Sequence, residues 1–396
     1  MGWPVLTLSE ICSSVFAGGD VPKDRLSKFR TAEFTVPIYS NGEKKKGLYG
    51  FTDIARVTEP SITVSARGTI GYSEVRSEPF LPVVRLIVLT PNLELVELEY
   101  LKYVIQSMDF KNSGSSIPQL TVPMIKNYSC EIPPISEQKR IVAILDQAVA
   151  DIEQARAKTE QNLKNARELF ESYLQQVFSQ RGEGWVEKTL ADVCLFENGD
   201  RGKNYPSRSK FVDSGVAFIN AGHIDDGTVD FEKMNYITKE NYDLLSRGKI
   251  EKGDVLFCLR GSLGKFAVID DDIRGAIASS LVIIRPHSDL SIEFFLHYLR
   301  SGLCKSMIDK YAGGAAQPNL GAKDLAKFSI SVPTEDQQKI VSSKLNDLMG
   351  EIDKLEFIYR DKLAAIGELK KSILQKAFSG ELTKTLEGGA NKGVVV

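Results

Sequence analysis

The sequence predicts an α+β protein written twice on one plan. Two mixed α/β globules in tandem are separated by two long helices, which form an antiparallel coiled coil about a pseudo-twofold axis. Three observations carry that prediction. The decapeptide Trp3-Pro4-Val5-Leu6-Thr7-Leu8-Ser9-Glu10-Ile11-Cys12 returns as Trp185-Val186-Glu187-Lys188-Thr189-Leu190-Ala191-Asp192-Val193-Cys194, and the two copies hold both tryptophans of the 396-residue chain. Four further blocks recur in the same order at a spacing near 200 residues, far beyond a solenoid period, so a whole module is duplicated. After each globular stretch, at 136–180 and 334–379, apolar residues fall at three- and four-residue steps.

The element boundaries follow in chain order: 1–133 for the first globule, 134–183 for the central helix, 184–332 for the second globule, 333–380 for the C-terminal helix, and 381–396 for a flexible tail. Inside the globules, β-rich runs such as Ser61–Ser65, Arg85–Leu89 and Leu281–Ile284 are bounded by Gly, Pro, Asn and Ser. One short helix is expected near Glu99–Ser107, with its copy near Ile292–Ser301. Between them the repeat pairs Ser65-Ala66-Arg67-Gly68-Thr69-Ile70-Gly71 with Cys258-Leu259-Arg260-Gly261-Ser262-Leu263-Gly264. It also pairs Glu99-Tyr100-Leu101 with Glu293-Phe294-Phe295, and Gly114–Leu120 with Gly314–Leu320. The last block pairs Pro134–Val142 with Pro333–Val341, which sets Gln138 against Gln337.

The C-terminal helix shows a seam of Leu345, Leu348, Ile352, Leu355, Tyr359, Leu363, Ile366 and Leu369. The central helix shows Leu145, Val149, Ile152, Leu163, Ala166, Phe170, Tyr173 and Val177, weaker around Gln154–Gln161. Thr334 with Gln337 is a capping-box pattern, Ser136 is placed to cap the central helix, and Gly182 and Gly380 stand where a left-handed terminator is wanted. A helix of about 44 residues is roughly 65 Å long and cannot bury such a stripe alone. Antiparallel pairing of the two copies buries both without crowding the globules at one end.

Composition narrows the function. With 50 Lys+Arg against 52 Asp+Glu and 42% apolar residues, this is an ordinary globular chain. No apolar run approaches a membrane span, and the first residues lack the pattern of a secretory signal. Five widely spaced cysteines and three histidines suit neither a disulfide framework nor a metal site, and read as reduced thiols in a cytoplasmic protein. There is no phosphate-binding Gly-x-x-x-x-Gly-Lys-Ser/Thr loop, no Gly-x-Gly-x-x-Gly, and no Asn/Asp-Pro-Pro-Tyr/Phe of an amino-methyltransferase. Ile132-Pro133-Pro134-Ile135 lacks the polar residue that last motif needs. Neutral charge argues against a nucleic-acid binder. Residues 1–133 carry 14 bases and 14 acids, and 184–332 carry 19 and 20, so acidic helices do not hide basic globules.

The duplicated Trp…Thr-Leu openings, Gly253-Asp254-Val255-Leu256-Phe257 leading into Arg260-Gly261-Ser262-Leu263-Gly264, and the Pro-x-x-Glu/Asp-Gln helix entries together resemble a specificity subunit of a Type I restriction–modification enzyme. So do the helix ends Leu174-Gln175-Gln176-Val177-Phe178-Ser179 and Leu374-Gln375-Lys376-Ala377-Phe378-Ser379. The resemblance covers nearly the whole chain. It implies two target-recognition domains, each reading one half of a split, asymmetric site in double-stranded DNA. It further implies helices that act as a ruler and dock two methyltransferase subunits, with restriction motor subunits where the system has them. It implies no catalysis and no cofactor in this chain: S-adenosylmethionine, ATP and magnesium belong to the partners. The alternative is a coiled-coil scaffold that holds two partners and never reads DNA.

Base edges call for Arg, Lys, Asn or Gln, and phosphates for Lys, Arg and small hydroxyls on loops. In the first globule the candidates are Asn41, Lys44, Lys45, Lys46 and Gln119, the lysine run reading equally as a solvated turn. In the second they are Arg201, Lys203, Tyr205, Arg208 and Lys210, clustered with Asp200 in a Gly/Asn/Ser-rich loop, then Asn220 and His223. His223 reads as a purine contact or as a plain surface histidine. Arg67 and Arg260 recur in both modules, as do Gln119 and Asn319, so they cannot distinguish two half-sites. The arginines either grip phosphates or pair with a carboxylate.

Overall fold

The computed structural model describes residues 3–110, 119–180, 182–225, 227–314 and 318–382. It divides into two compact units: Met1–Glu160 with Asp361–Val396, and Gln161–Arg360. The boundary cuts both long helices, Ile135–Ser179 and Glu335–Phe378, near their middles. Each unit is thus a globule closed by the start of the helix that follows it and the end of the other one. The predicted tail from 383 onward, and the repeat residues 114–118 and 315–317, lie outside the described residues.

In the first unit an antiparallel sheet runs in the order Cys12–Ala17, Ile87–Pro91, Ser61–Val64, Ser73–Arg76. The second unit repeats it with Cys194–Asn198, Leu281–Pro286, Val255–Cys258 and Phe266–Val268. A two-stranded ribbon joins each globule's entry to its exit: Val5–Thr7 with Ser129–Glu131, and Val186–Thr189 with Ser329–Val332. The opening decapeptide therefore makes ribbon, capped turn and first strand. Thr7 N donates to Glu10 Oε2 at 2.7 Å and Thr189 N to Asp192 Oδ2 at 2.8 Å, each closing a capping box. A second, smaller sheet differs more: Leu48–Thr52, Val36–Tyr39 and Leu81–Pro82 in the first globule, and Phe211–Val212, Asn235–Ile237, Val216–Ile219 and Gly275–Ile277 in the second.

The helices Leu98–Ser107 and Ile292–Arg300 seat each globule on its core. In the first unit Tyr100 and Leu101 pack with Leu145 from the start of the central helix and Leu374 and Ala377 from the end of the C-terminal helix. Lys370 bonds Glu153 there at 2.7 Å. In the second unit Phe294 and Tyr298 pack with Leu345 from the start of the C-terminal helix and with Leu174 and Phe178 from the end of the central helix. Arg167 Nε bonds Glu356 there at 2.7 Å. Start meets end in both, so the helix halves run antiparallel within each unit.

The seam is narrower than the pattern predicted. Leu145, Ile152 and Thr159 are buried seven residues apart, and Leu345 and Ile352 repeat the step, whereas Leu355 and Leu369 are 38% and 51% exposed. One partner helix covers only a thin stripe. Thr159 occupies the polar stretch, its hydroxyl donating to Ala155 O at 2.7 Å.

The helix entries correct the predicted register. Gln138 donates from Nε2 to Leu95 O and Pro133 O at 2.9 and 2.7 Å, and accepts from Glu97 N at 2.7 Å. Gln338, not Gln337, repeats this set with Asp289 O, Pro333 O and Ser291 N at 2.8, 3.0 and 2.7 Å. The pairing shifts by one residue because two adjacent glutamines are equivalent to the eye, while only one faces inward. Gln337 accepts from Thr334 N at 3.3 Å, half of the expected capping box. Ser136 lies inside the first turn, since the helix begins at Ile135. Gly380 has the left-handed φ of 74°; at the other helix end Gly184 does, at 83°, in place of Gly182. The five thiols are free, and burial pushes each up to about 12. Among the described residues no helix is long and apolar enough to cross a membrane, and no group of three or more His, Cys, Asp or Glu could hold a metal ion.

Candidate nucleic-acid interface

Each globule carries the same arginine-glycine turn at the end of its inner strand. Ser65 N donates to Tyr72 O and Gly71 N to Ser65 O at 2.8 and 3.0 Å; Cys258 N donates to Lys265 O and Gly264 N to Cys258 O at 2.8 and 3.1 Å. Gly68, Gly71, Gly261 and Gly264 take φ of 71°, 85°, 78° and 85°, which only glycine adopts freely. The turn is braced from the loop before the long helix. Leu120 N donates to Ala66 O and Leu320 N to Leu259 O, each at 2.9 Å. That bracing brings the recurring candidates together: Arg67 Nη2 donates to Gln119 Oε1 at 2.9 Å, and Arg260 bridges Asn319 through its backbone. Arg67 is exposed and paired with an amide, and among the described residues it has no carboxylate partner.

Unlike loops surround these like turns. In the first globule Lys44–Gly47 is a tight turn with exposed lysines; Lys46 lies 3.6 Å from Glu74. Arg76, which the sequence reading passed over, holds the turn from beneath. It donates from Nη2 to Lys46 O at 2.5 Å and from Nε to Thr63 Oγ1 at 3.1 Å, and lies over the Tyr39 ring. Asn41 uses both ends of its amide inside the protein, accepting from Ala66 N at 2.7 Å and donating to Val84 O at 2.6 Å. A second basic loop was also missed: Lys23, Arg25, Lys28 and Arg30, with Phe29 77% exposed. Ser27 and Phe51 exchange backbone hydrogen bonds at 2.9 and 2.8 Å, and Arg25 is paired with Asp53, so this loop borders the strand that leaves the lysine turn. The signal was available: the loop follows the first strand and its glycines, as Arg201–Lys210 does in the other copy.

In the second globule Asp200 is the anchor of the basic loop. It is 5% exposed and accepts from Gly202 N, Ser246 N and Ser246 Oγ at 2.7 to 2.9 Å, bonds that hold its carboxyl below the usual range. Arg201 reaches Ser279 O at 3.3 Å, while Lys203, Arg208 and Lys210 are exposed. Tyr205 turns inward, its ring 5.7 Å from that of Phe218 and its hydroxyl accepting from Ser279 N at 3.5 Å. Asn220 caps the short turn Ala221–His223 through Gly222 N at 2.8 Å, and its own N–H donates to His223 Nδ1 at 3.2 Å. His223 is 6% exposed, and burial pushes its pKa down, so it is not the surface histidine considered above. Gly261 lies against Ala221, so this turn abuts the arginine-glycine turn.

The predicted residues therefore sort into three sets. Lys44, Lys45, Lys46, Arg67, Arg201, Lys203, Arg208, Lys210 and Arg260 stand at the surface, able to meet phosphates and base edges. Asn41, Tyr205, Asn220 and His223 have polar atoms engaged within the fold and shape the loops that carry the first set. Gln119 and Asn319 brace the shared turns.

Residues 1–162 and 182–356 match the family model described as the Type I restriction modification DNA specificity domain. Among curated relatives, the chain is 24% identical over 304 residues to the specificity subunit of the Type I restriction enzyme EcoBI of Escherichia coli, covering 70% of this chain and 64% of that one. It is 40% identical over 139 residues to a putative type I specificity subunit of Mycoplasma pneumoniae, covering 35% of this chain and 41% of that one. The chain thus spans less than two thirds of the length of these relatives. Among solved structures, a chain from a type I R-M system superimposes with a TM-score of 0.77 at 20% identity, covering 96% of this chain and 98% of that one. The HsdS subunit from Thermoanaerobacter tengcongensis superimposes with a TM-score of 0.57 at 20% identity, covering 96% and 97%. The duplicated scaffold is the fold of those structures, and the chain belongs to the Type I restriction modification DNA specificity family.

Proposed function

We propose that this chain is the DNA sequence-specificity subunit of a Type I restriction–modification complex, each globule reading one half of a bipartite, asymmetric site. The observation that carries this is the like turn in an unlike setting. Arg67 with Gln119 and Arg260 with Asn319 occupy one frame, which suits phosphate contacts common to any sequence. The basic loops around them differ in length, composition and conformation, which suits different bases. A scaffold that never touched DNA would not need exposed cations on divergent loops.

In this reading the long helices set the spacer and dock two methyltransferase subunits. Leu355, Phe357 and Ile358 support it: they are 38%, 73% and 55% exposed on the C-terminal helix, an apolar stretch that water alone does not favour. Adenine methylation, with S-adenosylmethionine, and ATP- and magnesium-dependent cleavage belong to the methyltransferase and restriction subunits. Because the globules carry as many acids as bases, the free chain is expected to hold DNA weakly at physiological salt, with partners completing the positive clamp.

Footprinting of the chain assembled with its methyltransferase tests the reading. Two protected blocks of unlike sequence around an unprotected-sequence-tolerant spacer are expected. A contiguous or palindromic footprint contradicts the bipartite reading, and no protection at any salt concentration leaves the scaffold.

A further inference from the structure

Four non-glycine residues among those described have left-handed backbones, Lys45, Lys46, Val84 and Arg85, at φ of 50°, 53°, 52° and 60°. All four lie in the first globule on two turns beside Asn41. The Asn41 amide ties one of them, the Val84 carbonyl, to the N–H of Ala66 next to Arg67. Chain neighbours do not explain this grouping, because the two turns are far apart in sequence.

The second globule has the counterpart of the Val84-Arg85 turn. Val83 N donates to Tyr39 O at 2.9 Å and Leu86 N to Val83 O at 3.1 Å; Ala278 N donates to Ile219 O at 2.7 Å and Leu281 N to Ala278 O at 3.1 Å. Val84-Arg85 and Ser279-Ser280 are therefore the central residues of equivalent four-residue turns. Only the first is inverted, with positive φ at both central positions. An inverted turn ordinarily takes Asn-Gly, and a β-branched valine there is strained. The carbonyl at the first central position is capped in both globules, by Asn41 in one and by Arg201 in the other. Inversion changes where the second side chain points. Arg85 is exposed, and its guanidinium makes no hydrogen bond or ion pair among the described residues.

We propose that Arg85 is a half-site-discriminating DNA contact of the first globule, and that Asn41 is the positioning residue that holds its turn inverted. The proposal rests on the specificity-subunit reading above. A guanidinium fork matches the two acceptors on a guanine edge, which a lysine point charge does not. Ser280 at the same place in the second globule offers a shorter, neutral group, so one structural position would help make the two half-sites different.

The test is equilibrium competition with the chain assembled with its methyltransferase subunits, on duplexes varied base by base across both half-sites. Arg85→Ala should weaken the cognate duplex about 5- to 150-fold and flatten preference at one or two positions of one half-site. Arg85→Lys should keep more affinity and lose the same preference. Asn41→Ala should lose preference at the same positions, and Asn41→Ala with Val84→Gly should regain it, because glycine holds a positive φ without a clamp. Melting curves identify any variant that merely unfolds. An Arg85→Ala complex that melts normally with its preferences intact overturns the contact, as does an equal loss across both half-sites. Failure of the double variant to regain preference overturns the role of Asn41. A wild-type complex without sequence preference would end the underlying reading and this proposal together.

Discussion

At the junction between each globule and its long helix, the two units solve one problem in two ways. In the first, the Tyr103 hydroxyl donates to Asp146 Oδ1 at 2.6 Å; in the second, His297 Nε2 meets Asn346 Oδ1 at 2.8 Å. With the asparagine oxygen as acceptor, Nε2 carries a hydrogen; burial favours the neutral ring, and Nδ1 is buried with no hydrogen-bond partner among the described residues. Three positions earlier in the same cores, Tyr100 packs edge-on to Phe378, while Phe294 meets Phe178 with ring centroids 5.2 Å apart. The junction tolerates exchange of chemistry when the pair changes together. The glutamines at the helix entries are not exchanged, since each satisfies three backbone groups that no smaller side chain could reach. The globules share the glutamine locks at the helix entries and the arginine-glycine turns, and they differ in the junction pair and in the loops around those turns.

Removing the helix-end aromatics breaks the comparison most severely. Phe178→Ala should cost about 3–5 kcal/mol and expose the second unit alone to hydrogen exchange, because Phe178 is 3% exposed within that core. Phe378 is only partly buried, so Phe378→Ala should loosen the first unit by less. Peptide-resolved exchange is the measurement, since a two-unit protein has no single unfolding free energy.

Next in size is the register. Gln138→Ala and Gln338→Ala should each destabilise their own unit by about 2–3 kcal/mol by orphaning buried backbone groups. Gln337→Ala should cost about 1 kcal/mol or less, the scale of a partial cap. Equal effects at Gln337 and Gln338 in denaturant titrations would restore the pairing first read from the sequence.

A smaller difference is pH-dependent. All three histidines lie in the second unit, and burial holds both His297 and His223 below the ordinary value of 6.5. The unfolded chain therefore takes up more protons than the folded one below about pH 6.5. The stability these residues contribute is complete above that value and is lost as pH falls through their folded-state values. The second unit should lose exchange protection on acidification from pH 7, and His297→Tyr with Asn346→Asp, which copies the first unit, should lessen that loss. Smallest of all, Arg67→Ala and Arg260→Ala in the assembled complex should each reduce the salt dependence of DNA binding by about one phosphate contact and leave the recognised sequence unchanged. A changed methylation motif in either variant would move these arginines from backbone grip to base reading.

The duplication, the long helices, the inner strands and the arginine-glycine turns were legible because each repeats a pattern set by local chemistry. The helix-entry register was not, because Gln337 and Gln338 differ only in which one is buried. The basic surface was half legible. The lysine run at 44–46 and the loop at 201–210 announce themselves by composition, whereas Lys23–Arg30 is diluted by Asp24 and Ser27 and is recognised only by its place in the repeat. Tyr205, Asn220 and His223 have the residue types of base readers, yet tertiary packing turns them inward. Nothing in the local sequence reports that Val84 and Arg85 are left-handed, since valine is among the last residues expected there.

The most direct measurement is a map of methylated adenines in DNA from cells that carry this chain with its methyltransferase, repeated for Arg85→Ala and for Arg201→Ala. The expected motif is two short, unlike blocks separated by a fixed spacer of any sequence, with Arg85→Ala relaxing one block and Arg201→Ala leaving that block intact. A contiguous or symmetric motif, or relaxation of both blocks by one substitution, would contradict the claim that each globule reads its own half-site.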